Sequence, residues 1–147
     1  MKAVIQRVNK GSVSVNGKVI NSINKGYVIL LGVKKDDVKK DAQYISKKIL
    51  EIRLFPDNDK EGVFNILDIK GEILLISQFT LYADTRKGRR PSFSDAKKSD
   101  EANKMYEDVA DILTDGGVVV KKGVFGAMMD VELINNGPYT IIIDSKI

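Results

Sequence analysis

The segment Ser77-Gln78-Phe79-Thr80 follows directly on the apolar run Ile73-Leu74-Leu75-Ile76 and leads toward the basic stretch Arg86-Lys87-Gly88-Arg89-Arg90-Pro91. A strand leaving the core beside a loop is a common place for a site. One reading is an ordinary strand exit whose hydroxyls bond the nearby backbone. The other uses the segment's backbone N–H groups as an oxyanion hole, with Ser77 or Thr80 near a reacting carbon. The chain contains no His and no Cys. A hydroxyl nucleophile therefore has no imidazole base, and conventional triads, Cys nucleophiles and zinc or iron–sulfur sites are excluded.

Three further segments carry candidate residues. Asn135-Asn136-Gly137-Pro138-Tyr139-Thr140 reads as a hairpin turn between two strands. The alternative is a cis Gly-Pro peptide that sets two carbonyl oxygens side by side, where a ligand could be gauged against them. Gly123-Val124-Phe125-Gly126-Ala127-Met128-Met129 is either a bulge with core Met or a stacking surface for a purine. Arg86, Lys87, Arg89 and Arg90 form either a solvated loop or a phosphate-contacting one. The glycines form no nucleotide-binding pattern, and the aspartates have no metal-loop spacing.

These segments need a scaffold, and its elements are readable. Residues 2–9 are strongly β-branched and predict a strand, and Ser12–Val15 and Lys18–Ile20 flank Asn16-Gly17 as a tight hairpin. Gly26–Val33 is a continuous apolar run suited to a central strand buried on both faces. From Asp36 to Leu54, Val38, Ala42, Ile45, Ile49 and Ile52 recur at helical spacing, with Asp36 or Asp37 as the cap. After the breaker Pro56-Asp57-Asn58-Asp59 come strands near Val63–Asn65 and at Glu72–Ser77. A second helix opens at Ser99 or Asp100 and closes at Gly116-Gly117. Strands at 118–121, 127–135 and 139–144 complete an order in which two helices cover one face of a curved, mixed sheet.

The 147 residues, 43% hydrophobic and 30% charged, fit one globular domain spanning 1–147. The net charge of +4 is polarised. Residues 1–48 carry eleven Lys/Arg against three Asp, and 84–98 six against two, whereas 99–115 carry six acidic residues against Lys104. A basic surface assembled from the first two segments is the footprint expected for a polyanion such as RNA. Arg7 interrupts the start where a signal peptide would be apolar, and no run approaches the ~18 apolar residues of a membrane span. The expectation is a soluble, cytoplasmic protein, to which the lack of Cys adds weak support.

Taken together, Ser77-Gln78-Phe79-Thr80-Leu81-Tyr82-Ala83, Asn135–Thr140, the opening Gln6-Arg7-Val8 and Gly123–Met129 resemble the D-aminoacyl-tRNA deacylases over the whole chain. The resemblance implies a homodimer of three-layer, barrel-like α/β subunits with mixed sheets covered by two helices. It implies hydrolysis, without metal or other cofactor, of the ester joining a D-amino acid, or glycine mischarged on tRNA(Ala), to the terminal ribose of tRNA. Ser77, Gln78, Phe79 and Thr80 would line the aminoacyl pocket. Gly137-Pro138 would be a cis-proline motif that reaches across the dimer, holds the substrate's amino group and leaves no room for an L side chain. Arg7 would fix that motif, and Phe125, with Met129 beside it, would pack against the terminal adenine. Chemistry is then left to backbone groups and the substrate's own ribose hydroxyl. The chain departs from the common family form at Asn136, where Asp is usual, and at Tyr139, where Val is usual.

Overall fold

The computed structural model describes residues 1–147. In chain order it contains β1 (Lys2–Val15), β2 (Lys18–Ile23), β3 (Gly26–Gly32), α1 (Lys39–Glu51), β4 (Phe55–Asp57), β5 (Lys60–Phe64) and β6 (Glu72–Ser77). A 3-10 turn (Phe79–Tyr82), α2 (Ser99–Asp115), β7 (Val119–Lys122) and β8 (Asp130–Asp144) follow. The main sheet runs β2-β1-β3-β6-β7, with β8 on β1. Pairing is parallel for β3-β6 and β6-β7 and antiparallel elsewhere. Both parallel connections advance in the same direction across the sheet. Right-handed crossovers therefore put α1 and α2 on the same face.

Side-chain alternation gives this sheet two interiors. Tyr27, Ile29, Leu31, Ile73 and Leu75 point toward the helices and join Ile45, Ile49, Tyr106, Val109 and Leu113 in the larger core. Their strand neighbours Val28, Leu74 and Ile76 face the other way and meet Val8, Val13 and Ile23. Strand β1 is long enough to serve both. Its first half pairs with β3, while its second half pairs with β2 and curls over the inner face. The curl brings β2 to β7, where Asn21 Nδ2 donates to the Lys122 carbonyl at 2.7 Å and Lys121 Nζ to that of Ser22 at 2.8 Å. The result is a nearly closed barrel with helices outside, the three-layer α/β arrangement expected.

Several local expectations are corrected. The strands anticipated at 2–9 and 12–15 are one strand, shifted in register at Gln6/Val8 and Val8/Lys10. Asn16-Gly17 does form the tight turn, with φ +51° and +75°. A short strand β4, unforeseen, pairs with β5 around Asn58. The strands expected at 127–135 and 139–144 are a single strand, β8, so Gly137-Pro138 is no hairpin turn. Neither Asp36 nor Asp37 caps α1. Val38 is the cap residue, and the Asp41 carboxylate in the first turn accepts from its N–H at 2.8 Å.

Asp37 and Asp41 instead tie the ends of the fold together. The Met1 ammonium donates to Asp37 at 2.6 Å and to the Ser145 hydroxyl at 2.7 Å, both side chains of the ion pair being fully buried. Ser145 in turn donates to Asp41, which also receives the Lys146 ammonium at 3.0 Å. Burial pushes the Asp41 carboxyl up, but the Val38 N–H, the Ser145 hydroxyl and the Lys146 ammonium outweigh it and hold the group at about 2. A folded value below the unfolded one adds stability that is complete above about pH 4 and is lost as pH falls through about 2. Asp41→Asn should therefore lower the melting temperature at neutral pH, and the deficit should shrink as the pH falls through that window. Thermal unfolding across the range checks this, and a constant deficit would contradict it.

Candidate active site

Parallel strands collect sites at their carboxyl ends, where side chains and turns diverge from the sheet. In this fold β3 and β6 finish side by side there. Leu31 and Ile76 supply apolar wall, and Ser77, Gln78, Phe79 and Thr80 lie at the same end of a cavity of about 750 Å³. Phe93, Ala96 and Lys97 border it on the approach to α2, Ala102 and Tyr106 lie beyond them, and Phe125–Met129 cover the remaining side. Its size lies within the range of small-molecule sites.

The polar end is built by the way β6 stops. The Gln78 N–H donates to the Leu31 carbonyl at 2.8 Å, the last bond of the parallel ladder. The chain then tightens into the 3-10 turn, whose first bond runs from the Leu81 N–H to the Gln78 carbonyl. The N–H groups of Phe79 and Thr80 have no acceptor inside that turn. They can serve a developing oxyanion. Thr80 Oγ1 accepts a hydrogen bond from the Gln78 side-chain NH2. An amide NH2 is a donor only, so Gln78 positions the hydroxyl and cannot deprotonate it through that nitrogen.

The basic loop connects two residues of the cavity wall, Thr80 and Phe93. Asp84 and Ser92 exchange N–H···O bonds of 2.7 and 2.9 Å, which pinch residues 85–91 into a closed loop between the 3-10 turn and Phe93. Phe79, 57% exposed, meets Phe93 edge-on at 4.9 Å. Arg86 is engaged within the loop: its Nε and Nη2 donate to the two oxygens of Asp84 at 2.8 and 2.7 Å. Those bonds hold the Asp84 carboxyl well below the usual carboxylate range. Lys87, Arg89 and Arg90 are exposed and form no ion pair.

Arg7, Gly137 and Pro138 do not line this cavity; they form a second cluster. Gln6 pairs with Thr140 and Val8 with Asn135, so Arg7 alone on β1 faces the looped-out Asn136–Tyr139 of β8. The Gly137-Pro138 peptide there is cis. Arg7 Nε donates to the Asn136 carbonyl at 2.9 Å, and its guanidinium sits 4.8 Å from the Tyr139 ring centroid. Gly137 has φ +136°, and a Cβ there would come within 3.2 Å of Arg7 Nη2. The segment is also held from within, by Tyr139 N–H to Asn135 Oδ1 at 2.7 Å and Asn135 Nδ2 to Thr140 at 2.8 Å.

The structure thus brings Ser77, Gln78, Phe79, Thr80, Phe125 and Met129 together, holds Arg86–Arg90 on the loop between two wall residues without lining the cavity, and leaves Arg7 with Gly137-Pro138 elsewhere. Phe125–Met129 belong to a connection before β8 and not to a strand bulge. Phe125 leans on Tyr106 at 5.9 Å, Met129 packs against the inner core, and Met128 is 92% exposed. Phe93, Lys97 and Tyr106 were not anticipated. Tyr106 carried a signal, on the apolar face of α2, but that face reads equally as core.

An apolar pocket with free backbone donors at the carboxyl ends of parallel strands, in a nearly closed α/β barrel, is the kind of site in which a small acyl group could be held. The family described as D-Tyr-tRNA(Tyr) deacylase matches residues 4–144. A D-aminoacyl-tRNA deacylase from Aquifex aeolicus (strain VF5) is 51% identical over 146 residues, covering 99% of each chain. One from Fervidobacterium nodosum is 49% identical, covering 99% of this chain and 98% of its own. Among solved structures, the c-Myc DNA Unwinding Element Binding Protein superposes with TM-score 0.92 at 37% identity over 98% of each chain. A probable eukaryotic D-amino acid tRNA deacylase shares the fold, with TM-score 0.80 at 15% identity over 97% of each. The chain belongs to the D-aminoacyl-tRNA deacylase family and is a hydrolase.

Because no base touches Thr80, Thr80→Ala should keep D-aminoacyl ester hydrolysis within roughly a hundredfold of wild type, far short of the ~10⁴–10⁶ lost with a true nucleophile. Single-turnover kinetics tests this. Abolished activity, or an acyl group trapped on Thr80, would overturn the backbone account.

Proposed function

We propose that the chain acts in the cytoplasm on D-aminoacyl-tRNA, and on glycyl-tRNA(Ala), hydrolysing the ester to the terminal ribose and sparing L-aminoacyl-tRNA. The observation that carries this reading is the placement of Ser77–Thr80 at the foot of the pinched basic loop. The acyl carbon of a polyanion's end would rest in the cavity while Lys87, Arg89 and Arg90 meet its phosphates. Water adds to the ester carbon, the Phe79 and Thr80 N–H groups receive the oxyanion, and the ester C–O bond breaks. The neighbouring ribose hydroxyl relays the proton to the leaving oxygen. Phe125 and Met129 offer the terminal adenine an apolar face.

Chirality in this reading comes from a second copy. Strand β8 pairs with β1 alone and leaves its other edge free along its length, with Ile134 and Ile142 47% and 65% exposed. So long an edge favours a covering partner. A homodimer that covers it would deliver each copy's Gly137-Pro138 to the other's cavity, where the carbonyls grip the amino group and crowd out an L side chain. Glycine, with no side chain, passes the same gauge. That the motif does not line its own cavity supports the exchange.

Purified protein should release free amino acid from D-tyrosyl-tRNA and leave L-tyrosyl-tRNA intact; release from both, or tRNA binding without release, would refute the proposal. The loop gives a second expected outcome. Replacing Arg89 and Arg90 with Gln should weaken tRNA binding and flatten its salt dependence by roughly 0.7–0.9 per lost phosphate contact. Arg86→Gln should change the slope less, since Asp84 already occupies that guanidinium. Equal slopes for all variants, from binding titrations over a salt series, would assign the loop to solvent.

A further inference from the structure

Arg7, a guanidinium, is only 4% exposed. A buried cation needs compensation, and removing its sole counter-charge is costly. Of the acceptors around this guanidinium, the Asn136 and Leu54 carbonyls, at 2.9 and 2.5 Å, are neutral. The one carboxylate is Glu61, whose Oε2 receives Arg7 Nη1 at 2.8 Å. Glu61 stands on β5, in the small β4-β5 hairpin, and is itself 59% exposed. It makes no other ion pair.

The guanidinium is a rigid plane, so fixing one nitrogen fixes the others. With Nη1 held between Leu54 and Glu61, Nε is aimed at the Asn136 carbonyl, Nη2 lies against Gly137 and the guanidinium carbon sits over the Tyr139 ring. All of Asn136–Tyr139 is therefore indexed to a side chain whose charge is balanced only from β5. Phe55 of the same hairpin stacks on Tyr27 at 5.1 Å, and Tyr27 lies opposite Arg7 on β3, so the hairpin has a fixed seat from which Glu61 acts.

We infer that Glu61 is a positioning residue: through Arg7 it holds the Asn136–Tyr139 segment in the orientation that discriminates D from L aminoacyl groups. The inference rests on the proposed chirality gauge for its consequence, but its structural half stands apart from it. Without the carboxylate, Arg7 is drawn toward solvent and the segment loses its index. The cavity residues Ser77–Thr80 do not touch this network.

The test measures kcat/KM for D- and L-tyrosyl-tRNA in wild type, Glu61→Ala, Glu61→Gln and Asp59→Ala, the last an exposed acid in the same hairpin. Backbone amide spectra are recorded for each. Glu61→Ala should lower the D-to-L ratio by about tenfold or more, as a misplaced specificity element does. Glu61→Gln, which keeps an acceptor without the charge, should fall between, and Asp59→Ala should match wild type. The amide resonances of Asn136, Gly137 and Tyr139 should move in the Glu61 variants while those of Ser77–Thr80 stay. A ratio within twofold of wild type, an equal effect of Asp59→Ala, or unmoved segment resonances would overturn the inference. If Glu61→Ala does not fold, Glu61→Gln is read by the same criteria. Should wild type itself fail to discriminate, the functional proposal falls, and the amide shifts alone decide whether Glu61 indexes the segment.

Discussion

A sheet buried on both faces leaves polar chemistry nowhere to go along its strands. In β3 and β6 successive side chains alternate between the helix-side core and the inner core, and the backbone is consumed by ladders on both sides, antiparallel to β1 and parallel among β3, β6 and β7. Any unsatisfied donor inside would carry the full cost of desolvation. Polar function is pushed to the strand ends, and one end is already covered by turns. At the other, the helices and the curled β1-β2-β8 layer part, and the cavity occupies the gap. The position of Ser77–Thr80 is thus a consequence of the double core, not an addition to it.

The same constraint explains the second polar cluster. Strand β1 is the sheet's hinge, serving β3 on one half and β2 on the other, with β8 along its length. Where it changes partner the ladder with β8 breaks, and the break admits a charged side chain into an otherwise apolar layer. Arg7 uses that break, with carbonyls, a carboxylate and an aromatic face gathered around it. The residues looped out of the ladder, Asn136–Tyr139, close around the Arg7 guanidinium. The break in the ladder and the cluster around Arg7 are one feature.

Much of this is legible in the sequence alone. The double-sided strand 26–33, both helices, the Asn16-Gly17 turn and the exit at Ser77 follow from periodicity and turn chemistry, which are local. The errors lie where tertiary pairing overrides local signals. Gly137-Pro138 looks like a turn because Gly and Pro usually punctuate, yet pairing with β1 on both sides carries the strand through. Asp37 looks like a helix cap but is taken by the distant Met1 ammonium. Arg7 could be singled out by its motif, whereas Glu61, an exposed acid on a short strand, has no sequence signal at all. Its contact with Arg7 exists only in the folded chain.

What the cavity lacks shapes the chemistry it can support. Tyr106 lines it, but its hydroxyl donates to the Leu75 carbonyl at 2.7 Å, and burial, with Glu107 nearby, pushes its ionisation above the ordinary tyrosine range. It stays protonated and committed at neutral pH. Thr80 is tied to an amide, and Ser77 is the last residue of β6. The pocket therefore offers donors and an apolar bed, with no protein group shown poised to take a proton. Such a site suits a substrate whose own structure supplies the relay. An aminoacyl ester on a ribose carries a hydroxyl on the carbon next to the one that bears the leaving oxygen, so the proton need not pass through the protein. On the proposed reading, a fold that confines its polar groups to strand ends needs only to bind, orient and receive charge, and backbone N–H groups are sufficient for that.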